Sequence, residues 1–179
     1  MNTNYSSDNS QTAGEILAHA KYAAQSSIAV EIGILFGDTS AVLIQNCKGH
    51  VYGIDPIVPD SMNDALIGSV ENIKQLEKHH ANFTFIHDYS YNVVKTWDKE
   101  IDYIFIDGDH NYEAVKTDFN DWYPHVKTGG IIALHDSACN RGGPMYWPGP
   151  SQLADELIQD KIRLEYIETV HTMTVFKKL

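Results

Sequence analysis

The chain has 179 residues, enough for one domain with a substantial core. Its formal charge of −11 and isoelectric point near 5.1 exclude a nonspecific nucleic-acid binder, which needs a basic face to release phosphate counterions. No apolar run approaches the ~20 residues that span a bilayer, and the polar start MNTNYSSDNSQT has neither the basic nor the apolar region of a signal peptide. These features point to a cytoplasmic protein without a membrane or nucleic-acid partner, with residues 1–13 as a flexible tail and 14–179 as a single domain. Cys47 and Cys139 lie far apart and form no CxxC, so they read as two reduced thiols rather than a zinc or dithiol site.

In chain order, Gly14–Gln25 has the spacing of a helix, with Ile16, Leu17, Ala20 and Ala24 on one face. Thr12 followed three residues later by Glu15 fits a capping box. Ser27–Gly33 reads as a strand and Thr39–Asn46 as a helix with Asp38 as its N-cap. Val51–Ile54 is a strand, Asn63–His79 a helix, and Phe83–Ile86 a strand ending at His87-Asp88. A short helix near Tyr91–Trp97 precedes the strand Ile101–Ile106. Tyr112, Val115, Phe119 and Trp122 recur at helical spacing until Pro124 stops the helix. Gly129-Gly130 turns into the strand Ile131–Leu134, and Asn140–Pro150, rich in Gly and Pro, reads as a loop. Ser151–Gln159 is a helix, and Ile162–Glu168 and His171–Lys177 are strands paired around Thr169-Val170.

Alternating strands and helices with short links imply a parallel sheet covered by helices on both faces. Ligands of such sheets bind beyond the carboxyl ends of the strands. Those ends carry Glu31 with Gly33, then Asp55, Asp88, Asp107 and Asp136. Charged residues are rarely buried without partners, so a row of this kind is better explained by ligand chemistry than by helix capping alone. Glu31-Ile32-Gly33-Ile34-Leu35-Phe36-Gly37 is a glycine loop, but it is neither GxGxxG nor a Walker loop. Asp55, at the end of the second strand, suits ribose hydroxyls, and Asp88 suits a base amino group.

VEIGILFGDTS, VYGIDP, FIHDYS and above all IDGDHNYEAVKTDFNDWYPHVKTGGIIALHD carry a resemblance. Together they resemble the class I S-adenosylmethionine-dependent methyltransferases, in the small-molecule branch that includes macrolide sugar O-methyltransferases. The match runs from about Ile28 to Asp136. It implies a Rossmann-like, doubly wound, mostly parallel seven-stranded sheet with an antiparallel terminal strand, in three α/β/α layers. It implies an enzyme that moves a methyl group to a hydroxyl of a small molecule or sugar by in-line transfer. Glu31, Gly33, Phe36 and Gly37 would line the amino acid end of S-adenosylmethionine, with Ser40 beside them. Asp55 would bind the ribose, Asp88 and Ser90 would border the adenine, and Asp107 with Gly108 would face the methionine end.

Metal-dependent relatives hold Mg²⁺ with three groups that here fall at Asp107, His135 and Asp136. Those relatives place Glu-Asp where this chain has His135-Asp136. An imidazole suits a transition metal better than Mg²⁺, and a metal-free site stays open. His110 matches the histidine of the family's DGxH, a general base; otherwise it caps the next helix. His87 has no counterpart and reads as structural. Tyr146 and Trp147, in the segment from Arg141 to Pro150, would contact the acceptor. The short N-terminal extension offers little lid, which leaves room for a second copy of the chain to complete the pocket. Two rival readings stand beside this one: a cofactor-binding protein without catalysis, and a nicotinamide-dependent dehydrogenase, which the missing GxGxxG disfavours.

Overall fold

A computed structural model describes residues 12–58, 66–139 and 147–179. Seven strands form one sheet: β1 (Ile28–Ile32), β2 (His50–Ile54), β3 (Phe83–Ile86), β4 (Ile101–Ile106), β5 (Val126–Leu134), β6 (Leu164–Val170) and β7 (Met173–Lys178). Their order is β3-β2-β1-β4-β5-β7-β6. Every neighbouring pair from β3 to β5 is parallel, and β7 runs antiparallel to both β5 and β6. This is the doubly wound, mostly parallel sheet with an antiparallel terminal strand that the resemblance implies.

The strands are buried on both faces, as their near-continuous apolar runs require. Alternate residues of one strand serve two cores. Val30, Ile32, Ile104 and Ile106 face α5 (Tyr112–Trp122) and α6 (Pro148–Gln159), through Val115, Phe119, Trp122, Leu153 and Leu157. Ala29, Tyr103 and Phe105 face α1 (Ala13–Ala23), α2 (Asp38–Asn46) and α3 (Leu66–His79), through Ala18, Tyr22, Leu43, Ile44 and Ile73. The short helix α4 (Ser90–Val93) runs into a 3₁₀ turn, Val94–Thr96, and packs Val93 and Val94 on the first core. Each fully buried Ile, Leu or Phe contributes about 1.5–3 kcal/mol.

Several boundaries and faces differ from the sequence reading, each for a local reason. On α1, Ile16 and Leu17 are exposed, while Glu15, Ala18, His19, Tyr22 and Ala23 are buried. The polar members of that buried face hydrogen-bond to other elements: His19 Nδ1 to the Tyr103 hydroxyl at 2.7 Å, Glu15 to Thr172, and Tyr22 to Glu168. The N-cap of α2 is Gly37, not Asp38. Gly37 sits at φ 86° after a turn closed by its N–H on the Ile34 carbonyl, so no side chain caps the helix. Gly129 and Gly130 lie inside β5, where two residues of β4, Ile101 and Tyr103, face the ends of a six-residue span, Val126 to Ile131. The loop expected to run to Pro150 gives way to α6 at Pro148, because proline is at home in a first helical turn. The hairpin turns at His171-Thr172, two residues beyond the expected Thr169-Val170, with Val170 paired to Met173. Residues 63–65 of the expected third helix, Tyr146, and the segment 141–146 lie outside the described residues.

Candidate active site

The ladder hydrogen bonds continue one residue past the strands. Asp55 N–H donates to the Ile86 carbonyl, Gly33 to Ile54, Asp107 to Ile32 and His135 to Ile106. Asp55, Gly33, Asp107 and His135 therefore stand side by side along the carboxyl edge. Gly33, at φ 83°, lies so close to β4 that a Cβ there would collide with the Asp107 carbonyl. Only glycine lets the first loop leave the sheet at that point.

On the β1–β2 side, the expected cofactor residues are brought together. Asp55 Oδ2 accepts N–H bonds from Ile34 (2.7 Å) and Leu35 (3.2 Å), and Oδ1 accepts from Ile57 (2.7 Å). A carboxylate has about four acceptor sites, so one remains for a hydroxyl from outside. Those bonds hold Leu35 and Ile57 at φ 52° and 43°, in the left-handed region. Phe36 is partly exposed and, with Gly37, borders a cavity of about 340 Å³ that also touches Asp38, Ala41 and Leu76. Glu31 is fully buried and bonded to the Ser40 hydroxyl. Burial pushes its carboxyl well above the usual range, and the Ser40 bond does not offset that. Its bond to Ser40 ties the end of β1 to the first turn of α2.

Farther along the edge, Asp88 is exposed. It accepts bonds from Tyr89 N–H (2.7 Å) and Asn92 Nδ2 (3.0 Å), which hold it below its ordinary range. Ser90 donates to Asp118 of α5, and Asp118 lies against Gly108. Burial, against the pull of Ser90, raises Asp118 to about 6. His87 bonds the Pro56 carbonyl at 2.8 Å and stacks on Phe85, a structural role.

Between β4 and β5 lie two carboxylates and two imidazoles. His110 Nε2 is 3.1 Å from Asp136 Oδ2 and 3.8 Å from Asp107 Oδ1, and its ring stacks on Trp147 at 4.4 Å. Burial would raise the Asp136 carboxyl, but bonds from His110 and His135 outweigh it and hold the group far below its usual range. An ionised Asp136 can only accept, so His110 Nε2 carries the hydrogen of this bond. Nδ1 makes no hydrogen bond among the described residues. Asp136 itself sits at φ 47°, a strained conformation that Asp tolerates better than most residues. Gly149, in the first turn of α6, is so close to the His110 and Tyr112 main chain that any Cβ would collide with it. That close approach seats Trp147 on the His110 ring.

His135 is engaged at both ring nitrogens. Nδ1 is 3.1 Å from Asp107 Oδ1 and 3.6 Å from Asp136 Oδ2, and Nε2 is 3.2 Å from Thr172 Oγ1 and 3.6 Å from Glu15 Oε1. The Thr172 hydroxyl donates to Glu15 Oε1 at 2.8 Å, so it accepts from His135. In the expected metal set of Asp107, His135 and Asp136, both ring nitrogens of His135 lie within hydrogen-bond distance of protein oxygens. One ligand atom each of Asp107, His110 and Asp136 also lies within 4.8 Å of the others, with Asp136 Oδ2 bonded to His110 and Asp107 Oδ1 to His135.

Glu15, Thr172 and Asp118 were missed as site residues. A usable signal was present in two cases: Glu15-Ala18-His19-Tyr22 and Val115-Asp118-Phe119-Trp122 both follow the i, i+3, i+4, i+7 spacing of a buried helical face, with an acid inside it. Thr172 carried no signal. A cavity of about 370 Å³ lies at the opposite end of the sheet, lined by Tyr22, Gln25, Asp102 and Lys127 among others. It is remote from the carboxylate row and offers no comparable chemistry.

Residues 30–137, more than half of the chain and all five strand ends from Glu31 to Asp136, match the model of a family described as "Methyltransferase domain". The chain belongs to that methyltransferase family. An uncharacterized protein of Acanthamoeba polyphaga mimivirus is 33% identical over 138 residues, which are 72% of this chain and 59% of the viral protein. The methyltransferase domain therefore spans little more than half the length of that relative. Its fold is shared with an O-methyltransferase from Streptomyces achromogenes involved in tomaymycin synthesis, in complex with SAM (TM-score 0.72, 15% identity, covering 96% of this chain and 82% of the other). It is shared equally with an O-methyltransferase from Bacillus cereus in complex with SAH (TM-score 0.68, 15% identity, covering 96% and 84%). No helix among the described residues is long and apolar enough to cross a membrane.

Proposed function

We propose that this methyltransferase domain binds S-adenosylmethionine along the carboxyl edge of β1–β3 and methylates a hydroxyl of a small acceptor held over His110. The observation that carries the reading is the His110–Asp136 pair beside Trp147. The cofactor side is supported by the residues present. The loop Gly33–Gly37 brings bare backbone to the edge, the N-terminus of α2 has no side-chain cap, and Asp55 keeps one acceptor site. These groups suit a nucleoside joined to an amino acid. When bound, S-adenosylmethionine supplies an electrophilic methyl group on a sulfonium centre.

The chain's residues do the rest. Asp136 accepts from His110 Nε2–H and so fixes the tautomer with its lone pair on Nδ1. Nδ1 takes the proton of the acceptor hydroxyl as the oxygen becomes nucleophilic. Trp147 holds the imidazole plane from one side and offers an aromatic surface to a ring or sugar, and Tyr146 is proposed beside it. Asp107 and Gly108 border the meeting point of donor and acceptor. No metal is assigned a step.

The test is calorimetric titration of the purified protein with S-adenosylmethionine, followed by assay of S-adenosylhomocysteine release with hydroxylated acceptors. Saturable binding and acceptor-dependent release are expected. Absence of binding, with acceptors present and absent, would overturn the proposal. Binding without methylation of any hydroxylated acceptor would leave a cofactor-binding protein instead.

A further inference from the structure

We infer that Ser137 is a positioning residue of this site: its buried hydroxyl bridges the last main-chain groups of the β5–β7 ladder and thereby turns the Asp136 carboxylate toward His110. The catalytic consequence rests on the methyltransferase reading above, whereas the geometry stands without it.

Leu134 and Thr174 are the last pair of the β5–β7 ladder. Just beyond them the chain turns, with Asp136 at φ 47°. A left-handed residue other than glycine persists only where its surroundings over-determine it. Ser137 supplies much of that determination. Its Oγ donates to the Leu134 carbonyl at 2.8 Å and accepts from the Thr174 N–H at 3.1 Å. One hydroxyl thus joins main-chain groups of the two residues that end the ladder. The same oxygen lies 2.7 Å from Thr174 Oγ1.

The peptide that joins Asp136 to Ser137 is held from both sides. Its N–H, from Ser137, donates to the Thr172 carbonyl in the β6–β7 turn at 2.8 Å. Its carbonyl, from Asp136, accepts from the Ser151 hydroxyl of α6 at 3.4 Å. On the preceding side, the His135 N–H is fixed on the Ile106 carbonyl. With the main chain pinned before and after it, Asp136 has little backbone freedom, and its Oδ2 meets His110 Nε2 at 3.1 Å. Ser137, Thr174 and Ser151 are all fully buried. Burying a hydroxyl is unfavourable unless it finds partners, and an alanine would fill the space without that cost. What the Ser137 hydroxyl contributes is direction: it closes the turn that aims Asp136. Ser137 acts on His110 through Asp136 and touches no reacting atom itself.

The experiment uses the full chain. Ser137→Ala removes the bridge and leaves every residue assigned to cofactor or acceptor in place. Its kcat is expected to fall about tenfold, because a small misplacement of a catalytic group is costly, while the S-adenosylmethionine Kd stays unchanged. In an Asp136→Asn background the same change should cost no further rate, since residues that act as a unit are not additive. Thr174→Val keeps the shape and removes the neighbouring hydroxyl, so it should be slower than Thr174→Ser, which keeps the hydroxyl and loses a methyl. A role in packing alone would reverse that order. A readout independent of turnover is the indole N–H resonance of Trp147, whose ring stacks on His110. Ser137→Ala should shift it and leave the Trp97 and Trp122 resonances where they are. Rate losses that multiply in the double variant, or a Trp147 resonance that does not move, would overturn the inference. If Ser137→Ala fails to fold, the Thr174 pair decides, and a Thr174→Val enzyme as fast as Thr174→Ser overturns it. Failure of the wild type to bind S-adenosylmethionine would sink the methyltransferase reading, while the indole resonance still judged Ser137.

Discussion

Glu31 and Asp118 face hydroxyls, from Ser40 and Ser90, whereas Asp136 and Glu15 face imidazoles. All four acids are nearly buried, at 1%, 9%, 8% and 1% exposure, so burial alone does not distinguish them. Yet the first two carboxyls are raised and the last two are lowered. A hydroxyl brings a dipole, which does not overcome desolvation of a carboxylate, while an imidazolium brings a full charge, which does. The hydroxyl-partnered acids are thereby easier to protonate than an ordinary carboxyl. The imidazole-partnered acids, Asp136 and Glu15, are harder to protonate, and Asp136 is the one that bonds His110. One structural device, an acid at or under a strand end, serves two functions according to its partner.

The largest expected effect comes from removing the imidazole that this arrangement serves. His110→Ala should lower kcat by about 10²–10⁴, the usual contribution of a positioned base, and leave the S-adenosylmethionine Kd unchanged. A variant keeping more than about a tenth of the rate would break the distinction between the two halves. Asp136→Asn comes next. An amide can present its NH₂ to Nε2, which would move the lone pair away from Nδ1. The misorientation should cost about 10² in kcat, again with cofactor affinity preserved. An unaltered rate would show that His110 is oriented by its stack on Trp147 alone.

On the other half, the readout should move from kcat to affinity. Asp55→Ala leaves the N–H groups of Ile34, Leu35 and Ile57 without their acceptor. Each unsatisfied amide costs about 1–3 kcal/mol where it is shielded from water. The glycine loop then relaxes, and a loss of about 1.4 kcal/mol in ordering would raise the S-adenosylmethionine Kd about tenfold. At saturating cofactor, kcat should stay within a few-fold of the wild type. A fall in kcat with unchanged Kd would place Asp55 in the chemistry and erase the contrast.

How much of this was legible in the sequence depends on the range of the interaction concerned. YIFI and IIAL announced buried parallel strands because both faces of each must be apolar. Thr12 and Glu15 announced a helix start because the capping box is local, and the structure forms it. The row Asp55, Asp107, Asp136 was legible because strand ends can be located and topology does the gathering. What stayed hidden came from long-range pairing. Glu15 meets Thr172 at a separation of 157 residues, so a capping glutamate gave no hint that it also faces His135. Ile16 and Leu17 looked like the core of α1 by hydrophobicity, but hydrogen bonds from Glu15, His19 and Tyr22 turn the other face inward. His135 reads as a metal position through the resemblance alone, which carries no sign of its contact with Thr172, 37 residues away. The hairpin turn shifted for a related reason: Thr172 is pinned in the turn by Glu15, a partner that no local pattern of the closing strands contains.

The last expected effect concerns stability rather than catalysis or affinity, and it isolates the hydroxyl-partnered class. Asp118 is raised from its ordinary 3.8 to about 6 in the folded chain, chiefly by burial. Between those values the native state binds more protons than the unfolded one. The slope of unfolding free energy with pH is therefore negative there. This group's favourable contribution is complete below about pH 4 and is lost as pH rises through about 6, a change of up to about 3 kcal/mol. Asp118→Asn keeps an oxygen for the Ser90 hydroxyl and removes the ionisation. The variant should match the wild type near pH 4 and exceed it at pH 8, so that urea midpoints measured across that range diverge upward. Parallel curves would mean that Asp118 ionises without penalty in the fold. A hydroxyl would then suffice to keep a buried carboxylate charged, and the difference between the two halves of the site would have to lie in the imidazoles alone.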